Sequence, residues 1–238
     1  MLGKLPPKSD RRTLLLEDYL LPVLKPPARV DRESRVRRWP MYANDRLSDC
    51  TCAAAAHMVQ SWTAYARRRE IVLPWRDVVA SYYQITGGAD GGAYCLDVLK
   101  HWRAAGIGGD RITAFAKLCT GDVTAAKLAI DLFGSCYVGF ALPNFAIRTR
   151  KHWDVPTAGP VGDAKPNEKN GHCVCAVGYD TQHCYVVTWG RLKPVTWRFY
   201  NVYNDEAYAV LNRDWISKNR EAPSGFDVRA LERDLGRL

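Results

Sequence analysis

The chain has 238 residues, 47% of them apolar, which suits one large domain or two lobes that share a cleft. It contains no uncharged apolar run of about 18 residues, which excludes a membrane-spanning helix, and its start lacks the pattern of a secretory signal. Eight cysteines without such a signal favour free thiols in a reducing compartment. We therefore expect a cytoplasmic protein with no disulfides and no contact with a membrane.

The positive charge is concentrated at the beginning of the chain. The net charge is +9, and residues 1–40 contribute +5 of it, from ten Lys or Arg and five Asp or Glu. A basic, proline-containing segment of this kind binds nucleic acid or an acidic partner, or lies along its own domain. Because no nucleic-acid motif accompanies the charge, we expect an arm over residues 1–30 packed on a domain of residues 31–238, and no nucleic-acid partner.

The predicted helices come before the predicted strands. The arm holds one short amphipathic stretch, "TLLLEDYLLPVL", and two helices follow, "CTCAAAAHMVQSWTAYARR" and "YCLDVLKHWRAAG", the second ending on Gly106. Strands are predicted from the β-branched and aromatic runs "SCYVGFAL", "HCVCAVGY", "CYVVTW" and "EAYAVLN". This order predicts an α+β chain with a helical lobe over about 45–130 and a β-rich lobe over about 131–238.

The tail "FDVRALERDLGRL" predicts a further amphipathic helix. It places four leucine or valine side chains on one face, Val228, Leu231, Leu235 and Leu238. Such a helix either docks on the body of the protein or binds a partner. A protein partner bound through residues 1–40 or through this helix is therefore one of the interactions that the sequence allows.

Cys50 stands where a reactive thiol is expected. Asp49 precedes the helical pattern and is placed to cap free backbone N–H groups, so Cys50 falls in the first turn. The helix dipole there stabilises a thiolate, and the run Ala53–Ala56 allows close packing around the helix. The alternative is that Cys50 is only a small buried apolar residue, which is common for a free cysteine.

A base for this thiol has to come from elsewhere in the chain. His57 lies seven residues after Cys50, which is about 10 Å along a helix, so the two side chains cannot touch and His57 is expected to be structural. His172 begins a predicted strand directly after Gly171. A histidine at a strand end facing a cleft is well placed to form a Cys–His pair.

Four segments in chain order resemble the papain-like cysteine peptidases. "ARVDRESRVRRWPMYANDRLSDC" is similar to the start of the mature enzymes, with Pro40 four residues before Asn44 and Asn44 six residues before Cys50. "GADGGAYCLDVLKHWRAAGIGG", "GHCVCAVGYD" and "YVVTWG" resemble the family's Gly-Gly segment, its histidine strand and its Trp-Gly segment. The similarity spans about residues 28–190.

The resemblance implies a two-lobed fold with an antiparallel β-rich second lobe and the active-site cleft between the lobes. It implies that Cys50 is the nucleophile, His172 the general base and acid, and Asn44 the side-chain donor of the oxyanion hole. The positions that would contact a peptide substrate are Gly91, Gly92 and Trp189. The resemblance implies a peptide or protein substrate, an acyl-enzyme intermediate and no cofactor.

The sequence also departs from the family pattern. Thr51 replaces the usual tryptophan after the nucleophile, and Asn44 is one methylene shorter than the usual glutamine. Val187 occupies the position of the asparagine that orients the histidine, which leaves Thr188 as the nearby polar candidate. The family disulfide beside the active site is absent, with Leu47 and Ala89 at its two positions.

Three other functions remain open from the residues. A zinc site could combine Cys50, Cys52, Cys173, Cys175, His172 and His183, but structural zinc usually has two or more residues between paired cysteines, and we predict no metal. A papain-like protein without catalysis, kept as a structural or assembly component of the virion type, fits the missing orienting amide and the basic arm. The same Cys–His chemistry could also serve an amidase or acyltransferase.

Overall fold

The computed structural model describes residues 1–21, 24–67, 69–212, 215 and 227–235. Within these residues, seven antiparallel strands form one sheet: β1 Val30–Asp31, β2 Ala114–Lys117, β3 Cys136–Ala141, β4 Gly171–Tyr179, β5 His183–Thr188, β6 Arg191–Thr196 and β7 Asn204–Leu211. The same residues form seven α-helices: α1 Cys50–Ala66, α2 Trp75–Thr86, α3 Cys95–Ala104, α4 Val123–Phe133, α5 Asn144–Arg148, α6 Trp197–Tyr203 and α7 Val228–Leu235. The strand order is β2, β7, β3, β4, β5, β6, with β1 paired to the end of β4.

Helix α1 is surrounded by other elements on almost every side. Its alanine run, Ala53–Ala56, is at most 4% exposed, and the small side chains let β4, α2 and α3 pack against the helix. Trp62 from this helix stacks on Trp102 from α3, with ring centroids 5.7 Å apart. These contacts make a helix-side core that fixes the position and direction of α1.

Strand β4 separates this helix-side core from a second core on the other face of the sheet. Because side chains alternate along a strand, Cys173 and Cys175 enter the helix-side core, while Val174 and Ala176 enter the second one. All nine residues of β4 are buried. Both faces of β4 are therefore packed against a core.

Helix α4 and strand β2 belong to the sheet side of the molecule. The Asp122 side chain caps α4 by accepting a hydrogen bond from the Ala125 amide at 2.9 Å, and Gly134 ends the helix in the left-handed conformation. Strand β2 pairs with β7, and both α4 and β2 contribute to the second core. Strand β2 and helix α4 therefore pack with the sheet.

Some of the elements were predicted from the sequence, and others, the long helices α2 and α4 among them, were missed. The two predicted helices appear as α1 and α3, and the four predicted strands appear as β3, β4, β5 and β7. The elements that were not predicted are strands β1, β2 and β6 and helices α2, α4, α5 and α6. Strand β6 contains Pro194 and lies at the edge of the sheet, where a missing backbone donor is tolerated.

The basic arm and the tail helix pack on the body of the protein and on each other. Leu16 and Tyr19 enter the second core, and the Tyr19 hydroxyl donates to Oδ2 of Asp234 on α7 at 3.0 Å. Of the four apolar residues expected on one face of the tail helix, Leu231 is buried. The side chains of Val228 and Leu235, and all of Leu238, lie outside the described residues.

All eight cysteines carry free thiols, and Cys119 is the exposed one. No helix in the described part of the chain is both long enough and apolar enough to cross a membrane.

Candidate functional site

Cys50 is the first residue of α1 and is buried, and its sulfur accepts a hydrogen bond from the Cys173 amide at 3.4 Å. Asp49 occupies the N-cap position, but its side chain makes no capping bond, and both of its carboxylate oxygens lack a partner among the described residues. The expected cap is therefore absent. The helix start still places the free backbone N–H groups of the first turn around Cys50.

His172 is the second residue of β4 and lies under the indole of Trp189. The two rings stack with centroids 4.5 Å apart and planes inclined by 20°. Nε2 of the imidazole is hydrogen-bonded to the hydroxyl of Thr188 at 2.7 Å, while Nδ1 is buried without a partner in the described residues. The imidazole is therefore held on one face by Trp189 and at one nitrogen by Thr188.

One small pocket is lined by all the catalytic candidates that the sequence suggested. Asn44, Cys50, His172, Thr188 and Trp189 face it together. Cys50 and His172 are 122 residues apart in the chain, and the packing of α1 against β4 brings them to the same pocket. Val187 lines the pocket as well, but it offers no polar atom to the histidine.

Asn44 reaches this pocket through a strained piece of backbone. Tyr42 and Ala43 have positive φ angles of 53° and 70°, and Trp189 has 46°. In the described residues these three are the only non-glycine residues with positive φ, and all of them border the site. Such strain is held in place by surrounding structure and is frequent at functional sites. The Asn44 amide donates one of its two hydrogens to the Leu47 carbonyl at 3.3 Å.

His57 borders the same pocket but is occupied elsewhere. One ring nitrogen, Nε2, is hydrogen-bonded to the Pro40 carbonyl oxygen at 2.8 Å, and burial lowers the pKa of His57 to about 4. A neutral imidazole that is hydrogen-bonded to a backbone carbonyl agrees with the structural role expected for His57.

Burial keeps both members of the candidate pair uncharged in this structure. Loss of solvent raises the pKa of the Cys50 thiol to about 12 and lowers the pKa of His172 to about 3. The sequence predicted a thiol pKa below its ordinary value, and the structure contradicts this. The helix start and the histidine are where they were expected, but the site is covered.

The cover is the first part of the arm. Backbone N–H groups of Gly3 and Lys4 donate to the Gly171 carbonyl, at 3.2 and 3.0 Å, on one side of the cleft. On the other side, the Ala93 amide donates to the Gly3 carbonyl at 2.8 Å, and the Leu5 amide donates to the Ala93 carbonyl at 3.1 Å. The arm therefore lies between the lobes as an extended segment, bonded to both and next to His172.

The end of the arm lies over the pocket that Cys50 and His172 line. The Trp189 indole N–H donates to the Met1 carbonyl at 3.1 Å, and the amino group of Met1 donates to the Asn44 carbonyl. Two residues proposed for different roles, Trp189 and Asn44, thus both contact the arm. Their contacts explain why so little of the pocket remains open.

Gly91 and Gly92 face the arm, but the hydrogen bonds to the arm backbone are made by the residue that follows them. Gly92 has φ = 81°, and a Cβ there would collide with the Gly3 carbonyl oxygen. Gly91 is exposed and lines the groove along the arm. The residue that pairs with the arm backbone is Ala93, which the sequence gave no reason to select.

Sequence reasoning also missed an ion cluster in the cleft. The ammonium of Lys4 lies 2.8 Å from Oδ2 of Asp205 and 3.2 Å from Oε1 of Glu206, and the Lys4 side chain is 0% exposed. The signal available in the sequence was two consecutive acidic residues at the start of a buried strand. Nothing in the sequence paired them with a lysine 201 residues away.

The zinc alternative finds no support in this arrangement. Across the part of the chain that the structure describes, no three His, Cys, Asp or Glu residues are grouped so that they could hold a metal ion. His183 lies at the start of β5, where its Nδ1 is 3.6 Å from Oδ1 of Asp180. It therefore cannot join Cys50 and His172 in one site.

Comparison with known proteins identifies the fold. No protein-family model and no curated protein sequence matches the chain. Among solved structures, xylellain, a cysteine protease from Xylella fastidiosa, aligns with a TM-score of 0.69 at 15% identity, over 89% of this chain and 96% of that one. Digestive procathepsin L 3 of Tenebrio molitor larval midgut gives 0.62 at 12% identity, over 86% and 75%.

A third match comes from a structural comparison of the mite allergens Blo t 1 and Der p 1. It has a TM-score of 0.61 at 14% identity and covers 88% of this chain and 75% of that one. The chain therefore has the papain-like fold, and the expected α+β architecture with a helical and a β-rich part is confirmed.

Proposed function

We propose, on the premise of this papain-like fold, that the chain is a cysteine-dependent hydrolase acting on peptides or proteins, with Cys50 as nucleophile and His172 as general base and acid. One observation carries the proposal. Cys50 begins a helix and shares a pocket with His172, whose Nε2 is held by Thr188 while Nδ1 has no partner. An imidazole held at one nitrogen and open at the other is the arrangement that a thiol base requires.

The chemistry follows from this placement. Nδ1 of His172 takes the thiol proton, and the sulfur electron pair forms a bond to the carbonyl carbon while the carbonyl π electrons move to oxygen. When the C–N bond breaks, His172 gives the proton to the leaving amine, and a thioester on Cys50 remains. Water then gives a proton to His172 and attacks the thioester. The C–S bond breaks as the carbonyl re-forms, and His172 returns its proton to the sulfur, which releases the acid and restores the thiol.

Thr188 supplies the hydrogen bond that an asparagine usually supplies in the family. For Nδ1 to accept a proton, the neutral imidazole must carry its hydrogen on Nε2, which then donates to the Thr188 hydroxyl oxygen. A hydroxyl is a neutral acceptor that fixes this tautomer and the ring orientation. Thr188 is therefore proposed as the orienting residue.

Two N–H donors are available for the oxyanion of the intermediate. The Cys50 backbone N–H belongs to the first residue of α1 and has no acceptor within the helix. The Asn44 side chain carries two amide hydrogens, of which one bonds to Leu47, and it lines the same pocket. Donors fixed before the reaction stabilise the developing negative charge.

The structure corresponds to a covered state of this proposed enzyme. Residues 1–5 occupy the cleft, and the neutral thiol and imidazole are consequences of the lost solvent. Substrate entry requires the arm to leave, which re-exposes Cys50 and restores the stabilisation of a thiolate by the helix start.

The proposal is tested with a thiol-reactive peptide probe. The probe should label the Lys4→Ala chain, whose arm is released, at Cys50, and addition of Cys50→Ser to that chain should abolish labelling at this site. Cys52→Ser is the matched control, because Cys52 is a buried thiol on the same helix but does not line the pocket. Labelling that depends on Cys52, or that is the same in all three proteins, would contradict the assignment.

A second candidate is a papain-like structural or assembly protein without catalysis. The specific observation in its favour is the burial of Cys50 and His172 beneath the arm, with both groups uncharged. The two candidates differ in one measurable property. Displacing the arm activates Cys50 in the enzyme and leaves it inert in the structural protein.

A further inference from the structure

Among the described residues of the arm, Lys4 inserts its side chain into the cleft and pairs with two acidic residues. Its side chain is 0% exposed, and its ammonium contacts both carboxylates of Asp205 and Glu206. Lysine is almost never fully buried unless it is paired, because removing its charge from water is costly. The pocket that receives Lys4 must therefore supply negative charge, and it does so with two groups.

The pocket is built to hold these carboxylates in place. The Tyr208 hydroxyl donates to Oε2 of Glu206 at 2.9 Å, which leaves Oε1 directed to the lysine. The Asn204 side chain donates to the Glu206 carbonyl at 2.8 Å and to the Gly139 carbonyl at 2.9 Å. At Gly139 the lysine stem passes so closely that a Cβ would collide with Cε of Lys4. The walls thus fit a long, thin side chain that ends in a cation.

The charges in this pocket do not balance when the arm is absent. Lys4 brings one positive charge to two carboxylates, and burial raises the pKa of Asp205 above its ordinary value despite the lysine. Without Lys4, these two neighbouring carboxylates lose the cation that pairs with both of them. A buried charge that loses its partner is strongly unfavourable, so the empty pocket favours binding of another cation.

The rest of the arm contributes contacts that any peptide could make. Its bonds to Gly171 and Ala93 involve backbone N–H and C=O groups only. In peptide recognition of this kind, main-chain hydrogen bonds give affinity, and side-chain pockets give specificity. The Lys4 pocket is therefore the position in the cleft at which one peptide sequence can be distinguished from another.

We propose that Asp205 and Glu206 form a lysine-selective subsite of the cleft, which Lys4 fills in the covered state and a lysine side chain of the substrate fills in the open state. This inference rests on the proposed function, because the bound peptide is a substrate only if the chain is a hydrolase. The selective binding of lysine does not itself require catalysis. Lys4 occupies the subsite intramolecularly and therefore competes with a lysine-containing peptide for it.

The experiment measures peptide binding without turnover. The full-length chain carries Cys50→Ala, which prevents reaction, and Lys4→Ala, which empties the pocket. Fluorescein-labelled hexapeptides that differ only in one residue, lysine or norleucine, are titrated, and fluorescence anisotropy gives the Kd. Norleucine matches the lysine stem but has no charge. We expect the lysine peptide to bind at least about tenfold more tightly, as for a buried hydrogen bond to a charged group.

Substitution of the acidic pair assigns the selectivity to the pocket. Adding Glu206→Gln should reduce the preference for lysine to within about twofold, and Asp205→Asn should reduce it in the same direction. Equal binding of the two peptides to the unsubstituted pocket overturns the proposal, and this comparison stands even if a Glu206 variant fails to fold. Preference that persists in both variants also overturns it, because the selectivity then arises elsewhere.

The outcome is independent of whether Cys50 is a nucleophile. Lysine-selective binding together with an unreactive Cys50 would retain the subsite and remove the hydrolase. A reactive Cys50 without lysine selectivity would retain the hydrolase and remove the subsite.

Discussion

The hydroxyl of Thr188 lies 2.7 Å from Nε2 of His172 and is the side-chain partner of that imidazole. In the family pattern the preceding position holds an asparagine, and here it holds Val187, which is buried and apolar. The hydrogen bond to the imidazole therefore comes from the next residue along β5. The first prediction follows from this contact.

Thr188→Val should lower kcat/KM for a peptide substrate by about tenfold to a hundredfold, which corresponds to about 1–3 kcal/mol for an unsatisfied buried partner. The reason is that Nε2–H loses its acceptor, so that the tautomer and the ring angle are no longer fixed. Thr188→Ser keeps the hydroxyl and is the matched control. Steady-state kinetics give kcat/KM for both variants and the wild type. Equal kcat/KM for Thr188→Val and the wild type would show that Thr188 has no role in the mechanism.

Lys4→Ala should release the arm and expose the thiol of Cys50. Breaking the buried contact with Asp205 and Glu206 removes the strongest side-chain anchor of the arm, so alkylation of Cys50 should become about tenfold faster or more. Rates are measured by mass spectrometry of the Cys50 peptide after timed alkylation.

Lys8→Ala is the control for this experiment. Lys8 is also in the arm, but its ion pair with Asp97 at 2.9 Å is largely exposed, and such pairs contribute about 0–1 kcal/mol. The rate at Cys50 should therefore stay within about twofold of the wild type. An equal acceleration by both substitutions would mean that the position of Lys4 in the cleft is not what holds the arm.

Asp49 should make the protein less stable as pH rises. Burial raises its pKa in the folded state from the ordinary 3.8 to about 7. Between about pH 4 and pH 7 the unfolded chain has already lost this proton while the folded chain keeps it, so the free energy of unfolding falls as pH rises. Across this window the decrease attributable to Asp49 should be about 2–4 kcal/mol.

Denaturant unfolding at pH 4.5 and pH 8 tests this in the wild type and Asp49→Asn. Burial also raises the pKa of Glu33 to about 7. The test therefore compares the loss of unfolding free energy between the two pH values in the wild type with the loss in Asp49→Asn. The variant should lose less stability than the wild type between the two pH values. Asp97→Asn, in an exposed ion pair, should follow the wild type, and identical pH dependence in all three would contradict the assignment to Asp49.

Cys119 should be the first thiol to react in the intact chain. It is the exposed one of the eight, whereas Cys50 is buried and its pKa is raised to about 12. Thiol titration of the native protein should show one fast thiol that disappears in Cys119→Ser. A fast phase that remains in Cys119→Ser and maps to Cys50 would show that the arm does not cover the cleft in solution.

The catalytic candidates could be found from sequence because each has a local signature. Cys50 follows an N-cap residue at the start of an alanine-rich helix, and His172 follows a glycine at the start of a buried strand. Trp189 and Thr188 are close to each other and to the end of a strand. Their proximity to Cys50 follows from the fold, which the order of helices and strands already indicated.

The covering of the site could not be found in this way. Lys4 and Asp205 are 201 residues apart, and no local pattern relates an arm to an acidic pair in the last strand. The thiol pKa was expected to fall because the sequence shows the helix start but not the loss of solvent. Burial is a property of the whole packed chain, and it reverses the direction of the shift.

The most direct test of the central claim is detection of the acyl-enzyme by intact-protein mass spectrometry. The Lys4→Ala chain, with the arm released, is mixed with a p-nitrophenyl ester of a short acylated peptide. We expect a transient adduct of one acyl group on Cys50 that forms and decays, is absent in Cys50→Ala, and forms far more slowly in His172→Ala. No adduct on Cys50 after release of the arm, or an adduct whose formation is indifferent to His172, would contradict the central claim.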